Sequence, residues 1–159
     1  MWKRSSMPNP RKLWEGAFLS AIFLPHFSEL SITHITVING EDADGFSLRH
    51  VPPAFGSSHL VFEKQKWFID LFLDYSGGFT FNQLAPSEQD KPHLYAEDEN
   101  GNPWSPSWWT LNIKSNYRVN DYFSLNGGIE NIFDKRYRPY SSGIVAPGIN
   151  FKLSAMLTF

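Results

Sequence analysis

With 159 residues the chain is long enough for one domain, and its 14 Phe, 6 Trp and 6 Tyr exceed what a small soluble core requires. A formal charge of −2 gives no bulk drive toward nucleic acid, and the absence of cysteine excludes a disulfide framework and a thiolate metal site. No run of 18 apolar residues occurs, which excludes a membrane-crossing helix and leaves only a closed barrel of strands for any membrane role.

At the amino terminus, Lys3, Arg4, Arg11 and Lys12 precede an apolar stretch from Leu13 to Leu24. Glu15 interrupts that stretch, Pro8 and Pro10 sit in its charged flank, and no small-x-small site follows. A secretory signal needs all three parts in order. The pattern instead predicts an irregular lead-in over residues 1–12 and a strand over 14–24. Residues 29–39 are rich in β-branched side chains and predict a second strand, whose faces the sequence does not assign. A shorter strand is expected at 57–64, around Leu60 and Phe62.

From there the alternation becomes regular. Trp67, Ile69, Leu71, Leu73 and Tyr75 alternate with a face carrying Asp70 and Asp74. Trp109, Leu111, Ile113 and Tyr117 alternate with Thr110, Asn112, Lys114 and Asn116. Phe123, Leu125, Gly127 and Ile129 alternate with Ser124, Asn126, Gly128 and Glu130. In the last strand Phe151, Leu153, Ala155, Leu157 and Phe159 share one side, against Lys152, Ser154 and Thr158, and only Met156 breaks the polar pattern. A period of two is the signature of a strand, and a stretch of about 9–11 residues suits one crossing a bilayer at a tilt. Seven strands result.

Connections alternate in length. Short ones fall at Pro25-His26-Phe27, Lys64-Gln65-Lys66 and Val119-Asn120-Asp121, and long polar ones at 40–56, 76–107 and 134–149. Outer-membrane barrels have short periplasmic turns and long extracellular loops. The expected fold is therefore all-β, an antiparallel transmembrane β-barrel fragment with its carboxyl terminus on the periplasmic side. Asp70, Asp74, Asn112, Lys114, Asn116, Asn126 and Glu130 would face the lumen, where water keeps them hydrated. Seven strands do not close such a barrel, which uses even numbers from about 8 upward.

Aromatic residues gather at strand ends: Trp67 and Tyr75 on one strand, Trp108 and Trp109 before the next, Tyr117 and Tyr122 around a turn. That distribution predicts interfacial girdles rather than a sugar-stacking platform. The acidic run Glu97-Asp98-Glu99-Asn100-Gly101-Asn102 has Gly101 misplaced for a calcium loop and predicts an Asn-Gly turn. Glu41, Asp42 and Asp44 predict another acidic loop. His26, His34, His50, His59 and His93 lack the close spacing of a metal site. His50, His93, Arg136 and Arg138 fall in the long loops and are candidate extracellular ligand contacts. The basic residues after Asp134 could also attract lipopolysaccharide phosphates. Neither a nucleophile–base–acid set nor a phosphate-binding glycine loop is present, so no enzyme and no cofactor are expected.

The run Gly128-Ile129-Glu130-Asn131-Ile132-Phe133-Asp134-Lys135-Arg136-Tyr137 resembles the penultimate strand and loop of TonB-dependent outer-membrane receptors. The likeness continues through Arg138-Pro139-Tyr140-Ser141-Ser142-Gly143-Ile144-Val145-Ala146-Pro147-Gly148 and the final strand. It also covers Leu84 to His93 and Pro103 to Trp109, extends over 39–159, and is closest to receptors of Bacteroidota-like bacteria. Such receptors have barrels of about 22 strands and an amino-terminal plug. The resemblance implies that 13–159 is the carboxyl-terminal part of the barrel, without plug, in a bacterial outer membrane. It also implies uptake of a ferric siderophore, haem, cobalamin or glycan. Implied partners are outer-membrane lipid and lipopolysaccharide, the remaining barrel and plug, and through them the TonB complex. The row from Phe151 to Phe159 resembles the signal read by the barrel-assembly machinery. Two alternatives remain at this stage: a soluble β-sandwich that binds carbohydrate, and a truncated reading frame without function.

Overall fold

Seven long strands follow one another in a single antiparallel sheet, each hydrogen-bonded to its neighbours in sequence. The computed structural model describes residues 12–24 and 29–159. The lead-in up to residue 11 and the turn at Pro25-His26-Phe27 lie outside them, while Lys12 already belongs to the first strand. In order, the sheet contains β1 (Lys12–Leu24), β2 (Glu29–Glu41), β3 (Phe55–Lys64), β4 (Trp67–Ser76), β7 (Trp108–Arg118), β8 (Phe123–Glu130) and β9 (Asn150–Leu157). Two short strands, β5 (Ala96–Glu97) and β6 (Pro103–Trp104), pair with each other inside the connection between β4 and β7.

Register fixes the faces. Leu60 pairs with Leu71, Leu71 with Ile113, Ile113 with Ile129, and Ile129 with Phe151. This row is apolar across five strands, and the period of two then assigns every second residue. The opposite row runs Val61, Asp70, Lys114, Gly128, Lys152. In β2 the pairing of Ile35 with Gly56 places Ile35 and Val37 on the apolar face and Ile32, His34, Thr36 and Ile38 on the other. Branched apolar residues on both sides explain why the sequence could not orient this strand.

The apolar face is uncovered. Relative exposure is 86% at Leu153, 70% at Phe151 and 61% at Phe18. The buried strand residues are polar instead: Thr36, Asp70, Ser76, Thr110, Asn112 and Ser124. The buried hydrophobic residues, Leu84, Ala85 and Tyr95, all belong to the β4–β7 connection. This inverts a soluble sandwich, in which two sheets bury their apolar faces against each other. Among the described residues no second sheet larger than the two-residue pairing of β5 and β6 accompanies the main one, so the sandwich alternative fails.

Long and short connections sort to opposite ends of the sheet. Residues 42–54, 77–107 and 131–149 join strands at one end, and 65–66 and 119–122 join them at the other. Gln65, with φ 51°, closes the tight β3–β4 turn in the left-handed region. Helical turns at Phe81–Gln83, Pro86–Gln89 and Pro92–Leu94 give the longest loop internal structure.

Candidate functional site

The polar face carries a continuous network. Asp70, buried in β4, takes Lys114 Nζ at 3.1 Å and His59 Nδ1 at 3.0 Å. His59 stacks on Phe72 at 5.1 Å between centroids, and Lys114 Nζ lies 5.0 Å from the same ring. Asn112 Nδ2 donates to Asp74 Oδ2 at 3.1 Å, and Asn116 Nδ2 donates to Asn126 Oδ1 at 2.8 Å. Glu130 is bound by Lys152 and by Asn150 Nδ2. The seven residues expected on one polar face thus share it, with His59 and Asn150 added. His59 gave no sequence signal, because only the β3–β4 register brings it diagonally opposite Asp70.

Above β8 the chain leaves the sheet through Asn131, at φ 51°. Its main-chain N–H donates to Asn112 Oδ1 at 2.8 Å, and its Oδ1 accepts from Lys135 N at 2.9 Å. Its Nδ2 donates to the carbonyls of Lys135 and Pro147 at 2.9 and 3.3 Å. A short polar side chain tolerates the left-handed conformation and caps the turn it creates. Asp134 Oδ1 accepts from Ile149 N at 2.9 Å, closing the loop onto β9. A Cβ at Gly148 would collide with that oxygen, so the close approach requires glycine there. Asp134 is therefore a bracing acceptor rather than a free solvated charge.

Three long loops converge on Glu88. Its side chain is fully buried on the helical turn Pro86–Gln89. Arg49 Nε, from the β2–β3 loop, reaches Oε1 at 2.8 Å. Tyr95 Oη donates to Oε2 at 2.6 Å, and Ser141 Oγ, from the β8–β9 loop, donates to it at 3.1 Å. Lys91 Nζ stands 3.5 Å away. Burial by itself pushes the Glu88 carboxyl pKa up, but bonds from Tyr95, Ser141 and Arg49 outweigh it and hold the group below its ordinary value. Burial and the bond to Glu88 push Tyr95 up. His50 Nδ1 lies 3.5 Å from Ser141 Oγ at the margin of this cluster. Sequence gave no sign of this cluster, because Arg49 and Ser141 are 39 and 53 residues from Glu88.

Beside the cluster lies a cavity of about 290 Å³. Its wall includes Tyr95, Trp104, Trp108, Tyr137 and the cations Lys135, Arg136 and Arg138. The Trp108 and Tyr137 rings pack at 4.2 Å between centroids, tilted by 30°. Trp104 Nε1 is shielded from solvent and has no acceptor among the described residues. Arg138 donates to the carbonyl of His93 at 3.3 Å, which places His93 at the same rim. Of the four candidate ligand contacts, Arg136 and Arg138 line the cavity, while His50 sits at the Glu88 cluster.

Aromatic residues divide by face. The Trp67 and Tyr117 rings pack at 4.4 Å between centroids, tilted by 37°, near the short turns, and Tyr122 at that end is exposed. At the loop end, Trp109 meets Phe133 edge-on at 5.7 Å on the apolar face, and Tyr75 bonds the carbonyl of His34. Trp108 departs from the girdle expected for it. One residue from Trp109 in a strand, it must point to the opposite face, and it lines the cavity. The two acidic turns use their own carboxylates: Asp98 Oδ1 accepts from Asn100 N and Asn102 N at 2.8 Å, and Asp42 Oδ1 accepts from Asp44 N and Phe46 N at 2.9 Å.

No family model and no curated protein matches the sequence. Solved structures match its fold. The chain is similar to the copper transporter OprC, with TM-score 0.75 and 16% identity over 92% of this chain and 23% of that one. It is similar to the ferric enterobactin receptor PfeA of Pseudomonas aeruginosa, with TM-score 0.63 and 17% identity over 91% of this chain and 22% of that one. The ferric citrate transporter FecA gives TM-score 0.61 and 16% identity over 83% of this chain and 21% of that one. The chain thus spans about a fifth to a quarter of the length of these proteins, which are transporters and receptors rather than enzymes. Its fold is that of a segment of the β-barrel wall of TonB-dependent outer-membrane receptors.

Proposed function

We propose that residues 13–159 form the carboxyl-terminal part of the barrel of a TonB-dependent receptor, set in a bacterial outer membrane, whose parent takes up a scarce ligand. The observation that carries this reading is the inverted sheet, with its exposed apolar row from Leu60 to Phe151 and its hydrogen-bonded polar face. Lipid on one side and a wet lumen on the other suit both faces at once. Among the described residues β1 and β9 each have one partner strand in the sheet, and lipid does not tolerate open edges, so in this reading further strands pair with both. In this reading the polar face meets the plug, and coupling to the TonB complex runs through that plug. The apolar row of β9 serves as the assembly signal, and the loop end captures ligand. A metal chelate such as a ferric siderophore is favoured over haem, cobalamin or glycan, because the similar proteins carry copper, ferric citrate and ferric enterobactin. No catalytic role and no nucleic-acid partner are assigned.

An immunoblot of the outer-membrane fraction, with antibody against the 84–106 loop, tests this reading. A band well above 18.3 kDa, released only by detergent, is expected. Signal confined to the soluble fraction would overturn it.

A further inference from the structure

The cavity beside Glu88 combines three cations with an aromatic wall. Lys135, Arg136 and Arg138 lie on its wall, and no carboxylate does. None of the three takes part in the five ion pairs among the described residues. The neighbouring Asp134 is engaged by the main-chain N–H of Ile149. Lys135 spends its charge on the Trp109 ring, 5.1 Å from the centroid. That leaves the two guanidinium groups with Arg136 exposed and Arg138 bound only to a carbonyl. Like charges beside a half-enclosed apolar wall repel one another, and an entering anion relieves that repulsion.

Trp104, Trp108 and Tyr137 supply the rest of the wall. Aromatic faces favour a flat ring, while guanidinium groups favour a planar anion that takes two hydrogen bonds. A volume of about 290 Å³ admits one substituted ring and little more. We propose that this cavity binds a planar aromatic ring bearing one anionic group, with the ring against the tryptophans and the anion on Arg136 and Arg138. The inference deepens the receptor reading and rests on it for the role of the bound group, which would be part of the cargo.

The test uses the whole natural protein that carries this chain, extracted from its membrane in detergent, with tryptophan fluorescence titrated by benzoate, phenyl phosphate, benzyl alcohol and inorganic phosphate. Benzoate and phenyl phosphate should quench saturably, and the other two should bind at least about tenfold more weakly. The pair Arg136→Gln and Arg138→Gln should weaken both ring anions by about tenfold or more and leave benzyl alcohol unchanged. Equal binding of benzyl alcohol, or of inorganic phosphate, would overturn the proposal. So would unchanged affinity in the double variant. Should that variant fail to fold, Arg136→Gln alone decides, because the residue is exposed and takes part in none of the ion pairs among the described residues. Membrane partition is scored in parallel. Ring-anion binding by a chain found only in the soluble fraction keeps the site and discards the receptor, and an inserted chain that ignores ring anions does the reverse.

Discussion

Asn131 and Asn112 are joined by a 2.8 Å hydrogen bond from a main-chain N–H to a side-chain oxygen, so the exit from β8 is fixed to the middle of β7's polar face. Asn112 also binds Asp74, which extends the linkage to β4. One asparagine thus passes the position of a loop base across three strands.

Asn131→Ala should destabilise the folded chain by about 1–3 kcal/mol, since it removes three part-buried hydrogen bonds to the main chain of Lys135 and Pro147. It also forces alanine into the left-handed region. Asn131→Gly relieves that strain without restoring the bonds and should recover only part of the loss. Thermal unfolding in detergent measures both. Full recovery in the glycine variant would mean that the backbone, and not the side chain, matters.

Gly148→Ala should loosen the β8–β9 loop, because the added methyl collides with Asp134 Oδ1. Combining it with Asp134→Ala removes the colliding atom, so the two effects should be far from additive. Limited proteolysis of the 134–149 loop gives the readout. Additive losses would place the two residues in separate networks.

Glu88 predicts an acid-sensitive loop end. Its folded pKa lies below its unfolded value, so the stability it contributes is present above the unfolded pKa and is lost as pH falls through the folded one. Proteolysis of the 77–107 loop should therefore accelerate on acidification below the ordinary glutamate range. Glu88→Gln should be protease-sensitive at neutral pH, at a cost of about 1–3 kcal/mol, and should show a flatter pH profile. A pH profile that persists in this variant would assign the sensitivity elsewhere.

Leu153→Arg should reduce stable insertion by about 2–4 kcal/mol, the cost of a charge deep in lipid. Leu157→Arg, at the strand end beside Phe123, should cost less. Ser154→Arg, on the polar face, should be mildest, because water reaches it. Equal effects at 153 and 154 would remove the distinction between lipid and lumen.

The strands are legible because one side of each is apolar and the other polar and hydrogen-bonded. β4, β7, β8 and β9 show this directly, and their sequence alternation matches the register from Leu71 to Phe151. β2 was not legible in its facing, since Ile32 and Ile35 lie on opposite sides and both are apolar. The loops hid more. Pro86 and Pro92 open helical turns too short to show a periodicity, and the Glu88 cluster depends on partners from three separate connections. The Trp108-Trp109 pair shows the limit most clearly. Their place at a strand end predicts an interface for both, but adjacent residues of a strand cannot share a face, and one of them lines the cavity.

Leu84, Ala85 and Tyr95 leave the solvent inside the loops, while Leu153 and Phe151 keep their surface open along the wall. These two groups answer to different solvents. Withdrawal of apolar surface from water is what gives unfolding its heat capacity, and only the loop end makes that exchange within the chain itself. The wall has no comparable core to expose, and its cohesion comes from the hydrogen-bonded ladder between strands. Calorimetry of the lipid-embedded protein should accordingly record a small heat-capacity increment for so many residues, contributed mainly by the 77–107 connection.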